Sequence, residues 1–186
     1  MGVLTRWSIA ILLALGCVSP GPAWLEAQDA SPHELTAAFL FNFVRFTTWP
    51  AGSLQQDAPI VVCVSGSDGV AGSLDELTRR RRVNGRLIAI RPTSLEQPLG
   101  GCHVVYGASL NPSTTQQLIQ ATSSLPILTV GDSSDFAARG GIANFFVDDG
   151  RMRFAVNPDA AARAQLQISS KLLSLARITR DGGNRD

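Results

Sequence analysis

The chain has 186 residues, 45% of them hydrophobic and 17% charged, and sixteen Lys and Arg against fifteen Asp and Glu leave a formal net charge of +1. Near-neutral charge without a basic stripe argues against a nucleic-acid-binding protein, and beyond the N-terminus no apolar run is long enough to cross a membrane.

The N-terminus reads as an export signal. Arg6 supplies a short positive region, Trp7 to Val18 is an apolar run too short to span a bilayer, and Pro20, Gly21 and Pro22 break it before the small residues Ala23 and Ala27. Residues 1–27 are therefore expected to be a signal peptide. Leu15-Gly16-Cys17 invites a lipoprotein reading, but Ala14 and Leu15 stand in the wrong order for the Leu-small-small-Cys pattern, which argues against anchoring through Cys17. Removing 1–27 takes away Arg6 and Glu26, so the net charge stays +1. The remainder, about 160 residues, suits one domain over 28–178 with a single core. A flexible tail is expected over 179–186. Such a chain is exported to the periplasm.

The first element is the most informative. Ser31-Pro32-His33-Glu34 is a capping box with proline at the first helical position, and Pro50 disfavours helical geometry at Trp49. A helix from about 32 to 47 is then apolar almost all round. Four of the eight Phe (Phe39, Phe41, Phe43, Phe46) lie within eight residues of it, and its polar stripe is Asn42 and Arg45. Such a helix is a central packing element or, failing that, a docking face.

Strands and helices then alternate. Pro59 to Gly66 is a continuous apolar run, the pattern of a strand buried on both faces. A helix over 72–81 follows, then the basic run Arg79 to Arg82 in a solvated loop. Arg86 to Ile90 and Cys102 to Tyr106 are strand-like, Asn111-Pro112 opens a helix over 113–123, and Pro126 to Asp132 is another buried strand. Asp148-Asp149-Gly150 marks a hairpin between 142–147 and 152–156. Asn157-Pro158-Asp159 caps what the Ala/Leu/Ser composition makes one long helix to about Arg177. This order predicts an α/β fold: a three-layer α/β/α sandwich, with a mostly parallel sheet and an antiparallel C-terminal edge hairpin.

Two cysteines survive export, Cys63 and Cys102. In an oxidising compartment the pair reads as one disulfide, in preference to two buried thiols. Closing a loop of about 40 residues is worth roughly 4 kcal/mol. CxxC spacing is absent, which argues against a redox enzyme or structural zinc.

Candidates for chemistry are few. His33 belongs to a helix's first turn and His103 to a strand, so neither has a spaced partner for a metal. Ser65 to Gly72 has glycines but neither the Rossmann spacing nor a Lys-Ser/Thr pair. Asp132, Asp148 and Asp149 are turn residues first. No catalytic, cofactor-binding or metal residue is expected. Arg153 and Asn157 share a strand face by period two and could join Arg45 around a small anionic ligand; with Asn42 they are the candidate ligand or partner contacts.

The blocks quoted above also resemble a known family. Ala37 to Phe46 with Trp49-Pro50, the Cys63 strand, and Cys102-His103-Val104-Val105-Tyr106 are similar to the YfiR family of exported proteins. So are Leu128-Thr129-Val130 with Phe136 and Gly140-Gly141, and Arg153-Phe154 through Val156-Asn157, Ala161 and Leu166 to Ile168 through Leu173, Leu175 and Ala176. The blocks run in order over about 37 to 177. The resemblance implies a periplasmic, non-enzymatic α/β regulator that binds the periplasmic part of a membrane signalling protein, a diguanylate cyclase, and represses cyclic di-GMP production and biofilm formation. Some relatives carry a second cysteine pair near the C-terminal hairpin; here Phe145 and Phe146 lie nearby instead. A periplasmic small-molecule sensor is the alternative function, and a homodimer is a further candidate assembly.

Overall fold

Local signals define the first helix as expected. In the computed structural model, which describes residues 31–66, 68–95 and 97–182, α1 runs Pro32–Arg45 behind a complete capping box. Ser31 Oγ accepts from the Glu34 N–H at 3.2 Å, and the Ser31 N–H donates to the Glu34 carboxylate at 2.7 Å. The expected signal peptide (1–27), Cys17 and residues 183–186 lie outside the described residues.

The remaining elements are β1 (Thr47–Thr48), β2 (Ile60–Ser65), α2 (Asp68–Thr78), β3 (Ile88–Pro92), β4 (Val104–Gly107), α3 (Pro112–Thr122), β5 (Leu128–Gly131), β6 (Ala143–Asp148), β7 (Arg151–Val156), α4 (Pro158–Arg163), β8 (Gln167–Ile168), α5 (Ser170–Leu173) and β9 (Arg177–Ile178). Seven strands form one sheet in the order β3-β2-β4-β5-β6-β7-β9. From β3 to β6 every neighbour is parallel; β6 and β7 pair antiparallel through a turn in which Asp149 and Gly150 both take positive φ. That two-residue turn suits the twist of a hairpin.

Alternation along β2 and β4 sorts the core into two layers. Val62, Val64, Val104 and Tyr106 face α1 and α2, where Leu40, Phe43, Val44, Val70 and Leu74 meet them. Cys63 and Val105 face Leu118 and Ile119 of α3, with Leu99, Ile127 and Phe136. A three-layer α/β/α sandwich results. Phe39 and Phe43 interlock with the hairpin: Phe43 stacks on Phe145 at 5.5 Å and meets Phe154 edge-on at 5.2 Å, while Phe39 lies 5.7 Å from both. This makes α1 a packing element along most of its length. Cys63, inside β2, is bonded to Cys102, just before β4, with Cα atoms 5.8 Å apart.

One expectation needs correction. The long helix over 158–177 does not form; the chain breaks into α4, β8, α5 and β9. Gln165 adopts φ 57° after α4, and β8 pairs antiparallel with β1, Thr47 opposite Ile168. Tertiary strand pairing outweighs the helix propensity of the Ala-rich stretch, which is only a few tenths of a kcal/mol per residue. The antiparallel hairpin lies on the C-terminal side of the sheet as expected, and the two-residue β9 extends that side by pairing with β7 in parallel. The segment expected as a tail from 179 starts docked: Thr179 N–H donates to Val156 O, Gly182 N–H donates to Ala138 O, and Arg180 pairs with Asp159 at 2.8 Å.

Candidate functional site

Doubly wound sheets hold ligands beyond the carboxyl ends of the strands, where the chain reverses its direction of winding. Here that point lies between β2 and β4, and backbone fills it. Gly66, at φ 97°, approaches so near that a Cβ there would run into the Ala108 carbonyl oxygen, and the Ala108 N–H donates to Ser65 O at 2.9 Å.

The open space lies one step along the same edge. The hairpin β6–β7 projects past the end of β5, and a cleft of about 380 Å³ opens between it, the first turns of α1 and the end of β4. Its lining includes Thr36, Tyr106, Asp132, Ser134, Phe145 and Met152. Val147 stands at its rim, 73% exposed and opposite Met152 in the hairpin register. Leu35, on α1, is also partly exposed.

Asp132 is the one charged side chain among the described residues that line the cleft. Asp132 accepts from the Ser109 N–H at 2.7 Å, which holds its carboxylate at the mouth. Tyr106 is only 3% exposed. Burial, and then the Asp132 charge, push its phenol well above the ordinary range, so the group stays a neutral donor. No hydrogen bond to the Tyr106 hydroxyl is formed among the described residues, and no cationic side chain lines the cleft. The arrangement suits an apolar group carrying a neutral or positive donor for Asp132 and a neutral acceptor for the Tyr106 hydroxyl.

The residues proposed from sequence lie elsewhere. Asn42 donates to Ala38 O within α1 at 3.0 Å. Arg45 sits exposed at the end of α1 with its guanidinium over Phe46. Arg153 pairs with Asp148 at 3.4 Å on the outer face of the hairpin, beside Arg177, which stacks 4.0 Å from the Phe146 ring. Asn157 is fully buried and saturated: its side chain accepts from Asp159 and Ala160 and donates to Ala137 O and Asp181. Period two does place Arg153 and Asn157 on one face, but four residues separate them by about 13 Å along the chain. The structure does not gather Arg45, Arg153 and Asn157 into one anionic pocket.

His103 is a structural bridge at the opposite end of the sheet. Its Nδ1 accepts from the Val61 N–H at 2.9 Å, and Nε2 lies 3.3 Å from Ser53 O. Nδ1 must therefore be bare and Nε2 must carry the proton. Burial lowers its pKa, outweighing the bond to Ser53, and Arg86 and Arg91 add to the effect. Among the described residues no group of three or more His, Cys, Asp and Glu is placed to hold a metal ion. Sequence reasoning missed Tyr106 and Asp132 as cleft residues, although both sit at strand carboxyl ends, where such sites are sought.

A family model described as YfiR/HmsC-like matches residues 33–177. Among solved structures, a conserved domain protein from Vibrio cholerae O1 biovar eltor str. N16961 superposes with a TM-score of 0.50 at 17% identity, over 81% of this chain and 61% of that one. The ABC domain in complex with L-Trp from Streptococcus pneumonia gives a TM-score of 0.46 at 11% identity, over 64% of this chain and 54% of that one. The chain thus spans less than two thirds of either structure. At such identities the first match speaks to the fold alone.

Proposed function

The chain belongs to the YfiR/HmsC-like family, whose members are periplasmic regulators of cyclic di-GMP signalling, and from that premise we propose that it binds the periplasmic part of a membrane diguanylate cyclase and holds the enzyme inactive. The family match carries the reading. The family is regulatory rather than catalytic, and the proposal assigns this chain no enzymatic activity. Among the described residues no helix is long and apolar enough to cross a membrane; in this reading an effect on cytoplasmic nucleotide passes through the membrane partner.

The cleft and its rim are the proposed contact. Val147 and Met152 offer an apolar edge, Phe145 forms part of the wall, and Asp132 adds a single acidic group. Of the contacts proposed from sequence, Arg153 remains as a hairpin cation facing the other way. Repression requires that the chain prefer the inactive state of its partner. Moving an equilibrium from 1:99 to 99:1 takes about a 10⁴-fold preference.

The test uses Val147→Asp. Deleting the gene should raise cyclic di-GMP and biofilm formation, and the wild-type chain should restore both. Val147→Asp should melt like wild type, lose the membrane partner in pull-downs and fail to restore repression. Full restoration by that variant would overturn the assigned contact; unchanged nucleotide levels on deletion would overturn the function. The same cleft supports a second reading, a small-molecule sensor, because a donor as deeply set as Tyr106 faces a volume that can hold a compact ligand. A cleft lined without cations disfavours an anion in that role.

A further inference from the structure

At the pole of the sheet opposite the cleft, α2 is followed by Arg79-Arg80-Arg81-Arg82, and Arg86 stands just before β3. Four of these five guanidiniums are held in place. Arg79 pairs with Asp75 at 3.5 Å, and Arg81 lies 5.5 Å from the centre of the Phe41 ring. Arg82 donates to Gly85 O at 3.1 Å, and Arg86 donates to Gln55 O and Ala58 O at 2.6 and 2.8 Å. Phe41 and Arg45 are one helical turn apart on α1, which brings a sixth arginine to the same end. Arg80 and Arg82 make no ion pair among the described residues. The acids of this corner are Asp57, Asp75 and Glu76, so it is more positive than the chain as a whole, whose net charge is +1.

We infer that this corner docks on an anionic phospholipid surface. Backbone carbonyls and an aromatic ring hold the guanidiniums by one side and leave their other N–H groups facing out, the donor arrangement that phosphate oxygens accept. The array is broad. Leu87, 46% exposed, stands beside Arg86 as a small apolar residue for the headgroup boundary. Among the described residues this corner exposes no Trp or Tyr, so its attraction to the surface rests on charge rather than on an aromatic anchor. Bound in this way, the molecule would turn its cleft away from the bilayer. This proposal goes beyond the regulatory reading and needs only that the chain be exported.

Co-sedimentation of the exported protein with vesicles tests it. Vesicles of phosphatidylcholine and phosphatidylglycerol in equal parts should retain the protein, and phosphatidylcholine alone should not. Each arginine at the surface is worth about fivefold in partitioning, so Arg80→Ala should weaken binding about fivefold and Arg80→Ala/Arg82→Ala about 25-fold. Arg80→Lys/Arg82→Lys should retain most of it. High salt should release the protein, and inorganic phosphate should compete no better than chloride at equal ionic strength. Equal retention by both vesicles would overturn the inference, as would an unaltered double-alanine variant. Selective displacement by inorganic phosphate would reassign the corner to a free anion. Capture by an acidic peptide without vesicle binding would reassign it to a protein. Both results would sink the lipid assignment.

Discussion

Phe43→Ala tests the packing that joins the aromatic helix to the hairpin. The ring is 1% exposed, stacked on Phe145 and edge-on to Phe154. Truncating a buried Phe removes its transfer free energy and leaves a cavity, together about 3–5 kcal/mol. Two aromatic contacts, each worth about 0.5–1.5 kcal/mol beyond buried area, place this site in the upper half of that range. A domain's whole stability is about 5–15 kcal/mol, so the loss is a large share of it. In urea denaturation, where the slope is about 1–3 kcal/mol per molar, the midpoint should fall by about 2 M with the slope unchanged. Phe39→Ala should cost less, because that ring is only partly buried. Phe43→Leu, which keeps most of the volume, should recover much of the loss. A cost below about 1 kcal/mol for Phe43→Ala would refute the assignment of α1 as the clamp on the hairpin.

Four further outcomes are expected. His103 is held neutral with a lowered pKa, so between that value and 6.5 the unfolded chain binds a proton that the folded chain does not; stability should fall as pH drops below about 6.5, and His103→Gln should flatten that window when denaturation midpoints are compared. Asp181 titrates separately: burial works to raise its pKa, but hydrogen bonds from Arg163 and Asn157 and the Arg163 charge lower it, so its contribution disappears only as pH falls through the acid range. Reducing the bond between Cys63 and Cys102, 39 residues apart, should cost about 4 kcal/mol in the chain-entropy account, and alkylation without reductant should find neither thiol free. Thr47 buries a hydroxyl with no partner among the described residues; Thr47→Val keeps the branched shape and should raise the melting temperature by removing about 1–3 kcal/mol of unsatisfied desolvation.

Features that depend on a few neighbouring residues were legible in the sequence. The capping box at Ser31 and Glu34, the buried strand around Cys63 and the Asp149-Gly150 turn each arise from interactions within four or five positions. The alternation of strand and helix was enough to indicate the layered architecture. Cysteine parity in an exported chain was enough to pair Cys63 with Cys102. What the sequence could not decide is what distant segments do to one another. Thr47 pairs with Ile168 from the far end of the chain, and that pairing helps break a stretch whose composition alone makes it one helix. Arg153 and Asn157 do share a strand face, but one ends in solvent beside Asp148 and the other under α4, because the face continues from an open edge into a packed layer. Tyr106, Asp132, Phe145 and Met152 come from four separate segments. Their meeting depends on how far the hairpin overhangs β5, a register that strand pairing sets through hydrogen bonds between segments and that no local pattern encodes.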